Sequence, residues 1–399
     1  MNTNAIYQPA QQLTFLLIFV LGAIAALTPL AIDMYLPAMP EIAKDLMATP
    51  GQVQRTLVAY ITGFAFGQLI HGPISDSYGR RPVLIVGVSL FFIGAILSAQ
   101  ANDIETLTYI RAAQGFCGAA AAVVIQALVR DMFDREEFAR TMSFITLVMT
   151  VSPLVAPMIG GYLAVWFGWR SIFWVLAGFA VLMFVLIVAL IPETLSMERR
   201  APLRISSILR NYAKIICSRS AVGYICASGF SFAGMFSFLT AGSFVYIEYY
   251  GVSTENFGYL FSLHVVCLII MTTINGKLVR KVGCENMLRI GLMIQLFAGV
   301  TLMIAQFLNL GLWGTVIPGI LFIGTISIVG SNAMACVLSA YPALSGTAAS
   351  LAGTMRFGIG TIVGGIVTAI PVYSAWPMTG AMTGCAIFSA LFYWGLANK

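Results

Sequence analysis

Long apolar runs separated by short polar turns dominate this chain. Twelve runs reach about the 20 residues that a helix needs to cross a bilayer. They cover residues 13–36, 53–74, 82–100, 104–130, 142–166, 169–191, 220–246, 254–276, 286–306, 311–339, 343–370 and 373–397. Each reads as a membrane-spanning helix, numbered here span 1 to span 12. Most joints carry turn-forming or polar residues, and several are short, which implies antiparallel neighbours. The most distinctive joint is Gly72-Pro73-Ile74-Ser75-Asp76-Ser77-Tyr78-Gly79-Arg80-Arg81-Pro82. It is a doubly basic turn between residues 57–71 and 83–99, which hold no acid or base except His71. Such a turn has no place in hydrocarbon.

Composition agrees with the pattern. Only 9% of residues are charged and 59% are hydrophobic, with a mean hydropathy of +0.92. A soluble domain carries about 25% charge, so this is a membrane protein whose solvent is the lipid bilayer. The 38 glycines and 15 prolines are scattered through apolar runs, as expected where helices pack closely or bend inside a bilayer. The formal charge of +6 is spread over short loops, not gathered in one stripe with interleaved aromatics, so no nucleic-acid partner is expected. Seven cysteines without a Cys-x-x-Cys pair read as apolar fillers. Two histidines, His71 and His264, exclude a His-Glu-x-x-His site, and neither a phosphate loop nor a Gly-x-Ser-x-Gly elbow exists. An enzyme or an ATP-driven pump is therefore excluded, and neither a cofactor nor a metal is expected. A monomer is expected. The first Lys or Arg is Lys44, so the run from Leu13 reads as span 1 and not as a signal peptide.

Charge placement orients the spans. With both termini inside, sixteen of the 21 Lys and Arg residues fall on the inner side. Three (Lys44, Arg55 and Arg170) fall outside, and Arg111 and Arg356 lie within spans. The positive-inside rule then makes both termini cytoplasmic. The largest joint divides the chain into an N-terminal six-helix bundle (1–196), a basic linker (197–219) and a C-terminal six-helix bundle (220–399). The linker pattern fits either an amphipathic helix on the membrane surface or a plain solvated connection. Gly72 and Gly79 recur in spacing as Gly276 and Gly283 after span 8, a faint sign of two repeats.

Charges at bilayer depth cost about 2.5–3.5 kcal/mol on insertion scales, so Asp33 in span 1 and Arg111 in span 4 are candidate functional residues. Asp33 is either an interfacial acid or a cavity carboxyl. A carboxyl that alternates between hydrated and desolvated surroundings can bind and release a proton. At 1.5 Å per residue, Asp33 and Arg111 reach comparable depth, which permits an interaction or a structural ion pair. Gln114 lies one turn from Arg111. Span 5 carries Pro153 and Pro157, which bend a helix, followed by Gly160 and Gly161, which let another span approach. In the second half, His264 and Arg356 are either cavity residues or satisfied helix–helix contacts. Phe232, Met235 and Phe236 share one face of span 7, suited to helix packing or to an apolar cavity wall.

The loop at 72–82 resembles the one between the second and third helices of the major facilitator superfamily. That resemblance implies an inner-face latch of Gly72, Asp76, Gly79, Arg80, Arg81 and Arg130, closed while the cavity opens outward. Ser77 departs from the general loop pattern, which often has a basic residue there. Ala156-Pro157-x-x-Gly160-Gly161 resembles the motif of exporting, antiporting members. With Ile32-Asp33-Met34-Tyr35-Leu36-Pro37-Ala38-Met39-Pro40, Arg111-x-x-Gln114-Gly115, the stretch 228–238, Ser331-Asn332-Ala333 and the stretch 353–360, the chain resembles the Bcr/CflA family of drug–proton antiporters over nearly its whole length. The resemblance implies an all-α fold of two six-helix bundles in a bacterial inner membrane. It also implies proton-coupled efflux of bicyclomycin and other small antibiotics by alternating access, with Asp33 and Arg111 coupling protons. A substrate cavity of Tyr35, Gln114, Phe232, Met235, Phe236, His264, Asn332 and Arg356 is the matching expectation. The alternatives are an exporter of a metabolite such as an amino acid, or a metabolite importer or facilitator on the same fold.

Overall fold

A computed structural model describes residues 11–133, 135–200, 205–341, 345–371 and 374–397. Arg204 and Lys399, both counted in the charge asymmetry, lie outside them. Twelve helices are long and apolar enough to cross a membrane: Leu16–Asp45, Pro50–Tyr78, Arg80–Ala99, Ile104–Met132, Arg140–Phe167, Arg170–Leu190, Arg219–Tyr249, Thr254–Val282, Cys284–Phe307, Gly311–Ala340, Ala348–Ala369 and Trp376–Ala397. No strand occurs among the described residues. The architecture is all-α, two bundles of six spans each.

Individual helices follow local chemistry. Span 2 starts on a capping box in which Thr49 accepts the Gln52 N–H and the Gln52 side chain accepts the Thr49 N–H. Span 4 starts on Asp103, whose carboxylate accepts the Thr106 N–H at 2.7 Å. That bond holds the Asp103 carboxyl below its usual pKa. Val86, Leu90, Ile93 and Leu97 form an exposed apolar stripe along span 3, the face that meets lipid.

The turn at 72–82 is shorter than its polar residues suggest. Span 2 stays helical through Tyr78, span 3 begins at Arg80, and the reversal falls on Gly79 alone. Its φ of +104° lies in the region that only glycine enters cheaply. Gly283, at φ +86°, makes the same one-residue reversal between spans 8 and 9. The linker contains a helix, Ile205–Ile216. Ile215 is fully buried against Ala221 and Ile225 of span 7, Val337 of span 10 and Ala348, Leu351 and Ala352 of span 11. The Tyr212 hydroxyl meets Ser350 Oγ at 3.1 Å. Tyr212 and Ile215 of this helix therefore pack on the second half of the protein, and burying one isoleucine stabilises that contact by about 1.5–3 kcal/mol.

The two halves meet at the end away from Gly79 and Gly283. Among the described residues, four hydrogen bonds cross between them. Ser243 bonds Met39, Tyr162 bonds Tyr259 at 3.0 Å, the Ser262 hydroxyl donates to the Leu154 carbonyl at 2.7 Å, and Thr62 donates to Thr361. All four lie toward the end carrying the turns at 46–49, 168 and 250–253. That arrangement closes this end of the central interface.

Candidate functional site

The site is built on an interruption in span 1. Pro37 and Pro40 have no N–H, so the carbonyls of Asp33 and Leu36 lose their α-helical donors. The helix stops at Asp33, turns through Met34 and Tyr35, forms one 3₁₀ turn at Leu36–Ala38 and resumes at Met39–Asp45. A helix end leaves carbonyls without partners inside the chain segment. One of them, on Ala31, accepts from Arg111 Nη2 at 3.0 Å.

Arg111 is wholly buried. Its Nη1 donates to Gln114 Oε1 at 2.8 Å, and its Cζ lies 4.3 Å from the centre of the Tyr60 ring and 4.8 Å from that of Tyr35. The cation is thus held by ring faces and by the negative end of the short helix that finishes at Asp33. Thr56 gives its proton to the Val53 carbonyl, so the Tyr35 hydroxyl is the donor in its 2.6 Å bond to Thr56 Oγ1. Tyr60 donates to Thr28 Oγ1. Asp33 is 5% exposed. No ion pair joins it to Arg111 among the described residues. The two are coupled through backbone, because Arg111 fixes the carbonyl two residues before Asp33.

Span 5 completes this corner. Pro153 and Pro157 both lie inside its helix. A Cβ on Gly160 would overlap the backbone of Met34, and one on Gly161 would meet the Thr254 carbonyl of span 8 at 2.9 Å. The Gly-Gly pair therefore seats span 5 on the residue next to Asp33 and, one residue later, on the second half. Asp33, Tyr35, Arg111, Gln114 and Gly160 come together in one place.

The other cavity candidates separate into three settings. Phe232, Phe236 and Phe357 pack edge-to-face or tilted with centroids 4.9–5.9 Å apart, and Phe64 of span 2 reaches Phe357 at 4.9 Å. Arg356 lies over Phe232, with Cζ 3.8 Å from the ring centre, and Met235 packs partly buried against the core. His264 stands apart in an aromatic cluster. Its Nδ1 donates to the Leu260 carbonyl at 2.8 Å, its Nε2 faces the Tyr246 hydroxyl at 3.5 Å, and its ring stacks on Phe238. Asn332 donates to Asn275 Oδ1 at 2.7 Å and so ties span 10 to span 8.

At the opposite end, Arg80 Nη1 pairs with Asp76 at 2.6 Å and bonds Ser75 Oγ at 2.7 Å, while its Nε reaches Asp131 at 3.2 Å. Arg81 Nη2 donates to the Val188 carbonyl at 2.7 Å. Arg130 is exposed, 4.0 Å from Asp131, and Gly72 lies near Val123. These contacts stay within the first half. Sequence reasoning passed over Glu193. Its carboxylate accepts the backbone N–H groups of Arg80 at 3.0 Å and Arg81 at 3.2 Å, at the start of span 3, where the helix dipole favours an anion. It also passed over Thr56, Tyr60, Phe64 and Phe357. The polar or small positions 56, 60, 63 and 67, on one helical face of span 2, were the available signal for the first two.

Residues 21–365 match the Major Facilitator Superfamily. The chain is 42% identical over 389 residues, 98% of each chain, to a protein of Haemophilus influenzae named "Bicyclomycin resistance protein homolog". It is 26% identical to "Multidrug resistance protein D" of Escherichia coli, over 85% of each chain. Its fold matches the crystal structure of a D-xylose–proton symporter with a TM-score of 0.75 at 15% identity, over 95% of this chain and 98% of that one. The chain is a bacterial multi-pass transporter that belongs to the Major Facilitator Superfamily, and within it to the Bcr/CflA type.

Proposed function

We propose that this protein exports small antibiotics, bicyclomycin among them, in exchange for protons, as a secondary transporter of the bacterial inner membrane with both termini in the cytoplasm. The carrying observation is a buried carboxyl, Asp33, at the break in span 1, two residues from the Ala31 carbonyl that Arg111 holds. Such a carboxyl takes a proton when sealed from water and gives it up when rehydrated. The names of the relatives support drug export, and the distribution of Lys and Arg supports the orientation. The closure of one end of the central interface fits a carrier that opens its two ends alternately. The proton is the coupling ion, with no further cofactor. Arg111 holds the turn that carries Asp33, and Gly160 seats that turn on span 5. Drug transport in proteoliposomes, with the pH gradient and the voltage imposed separately, tests the reading. Efflux should follow the pH gradient, and export undiminished with both gradients collapsed would refute it.

A further inference from the structure

Arg80, Arg111 and Arg356 lie in different surroundings, and Arg356 has the fewest polar partners of the three. Arg80 meets two carboxylates, and Arg111 meets a carbonyl and an amide oxygen. The Nε of Arg356, like that of Arg111, is buried without a hydrogen bond, but in Arg356 no carboxylate, carbonyl or hydroxyl among the described residues receives the other N–H groups either. One face of its guanidinium is covered by Phe232 at 3.8 Å. Span 10 passes with Gly330, where a Cβ would stand 3.5 Å from Nη2 and 3.8 Å from Nη1. Glycine at that position places no side chain against the guanidinium. Phe357, next in sequence, meets Phe64 of the first half, so the cation lies at the junction of the halves.

We propose that Arg356, seated on Phe232, is the subsite for a carboxylate carried on an aromatic cargo. A guanidinium presents paired N–H donors in its own plane, which match a carboxylate bidentately while a ring covers the face. Phe232, Phe236 and Phe357 offer edges and faces to a flat apolar body. Among the three charges deep in the spans, Asp33 is the one acid against Arg111 and Arg356. With Asp33 ionised, its proton exchanged for cargo, these three charges leave one positive charge in excess, and an anionic cargo neutralises it. This inference rests on the export reading above and adds the chemical class of a cargo.

The test uses the purified full chain in nanodiscs with two probes, 1-naphthoate and 1-naphthamide, which share a ring system and differ in charge. Wild type should bind the carboxylate about ten- to a hundredfold more tightly, the range expected of a charge-assisted bidentate contact. Arg356→Gln should erase the preference and leave amide binding within about twofold, and Arg356→Lys should keep part of it. Equal affinity of wild type for both probes, binding of neither, or a preference that survives in Arg356→Gln would overturn the proposal. The wild-type comparison decides even if that variant does not fold. Proton-driven bicyclomycin efflux from the same preparation is read separately. Efflux without a carboxylate preference removes this subsite alone, and a preference without efflux supports the subsite while removing the export reading.

Discussion

Gly160→Ala places one methyl group where span 5 crosses the turn of span 1. The new Cβ would stand 2.7 Å from both the Cα and the carbonyl carbon of Met34, and nearer still to its oxygen. Carbon atoms rest at about 3.5–4.0 Å, so the two segments must part by roughly 1 Å. All three obstructing atoms are backbone, and no side chain can swing aside. Overpacking of this kind costs about 1–3 kcal/mol, and the gain in helix propensity from Gly to Ala offsets roughly 1 kcal/mol. The protein should therefore fold with a net loss of no more than about 2 kcal/mol. Function should suffer more, because the displacement falls beside Asp33 and the Ala31 carbonyl held by Arg111. A 1 Å misplacement can cost on the order of 100-fold in rate, and a drop of at least tenfold is expected here. Gly178→Ala is the matched control, since a Cβ there meets nothing within 4 Å. Drug uptake into inverted vesicles under an imposed pH gradient reads function, and thermal unfolding of the purified protein reads stability. Wild-type uptake by Gly160→Ala, or an equal loss in Gly178→Ala, would refute the packing argument.

Arg111→Lys keeps the charge but loses the planar fork that reaches Gln114 and the Ala31 carbonyl together. It should insert normally and lose most drug transport, whereas loss of expression alone would assign Arg111 a structural role. Glu193→Ala removes the anion from the start of span 3. It should lower stability by about 1 kcal/mol, the usual value of a lost N-terminal cap, and slow transport. An unchanged unfolding curve would show that other groups serve those two N–H donors.

The twelve spans were legible because length and hydropathy report the bilayer directly. Their ends were less so. Hydropathy falls where a helix leaves the membrane, not where it stops, so residues 75–78 read as loop although span 2 continues through them. Pro37 and Pro40 likewise read as the end of span 1, yet the helix resumes and reaches Asp45. Asp33, Arg111, Gln114 and Gly160 were visible as unusual residues in apolar runs, but their meeting point was not. It is made by backbone atoms of Ala31 and Met34, which carry no signature in sequence. Glu193 was hidden for a related reason, because its partners are N–H groups 113 and 112 residues away. A polar side chain in a span reads equally as a cavity group or a helix–helix tie. For His264 and Asn332 the partners Leu260, Tyr246 and Asn275 describe a tie.

In the proposed mechanism the carboxyl of Asp33 exchanges its proton for cargo. Its most direct test is drug-dependent proton flux in proteoliposomes holding wild type or Asp33→Asn, with bicyclomycin added to one side and internal pH followed by a trapped indicator. Wild type should move protons against the drug gradient, and Asp33→Asn should move none while still inserting and folding. Drug-driven proton movement in Asp33→Asn equal to wild type would contradict the account.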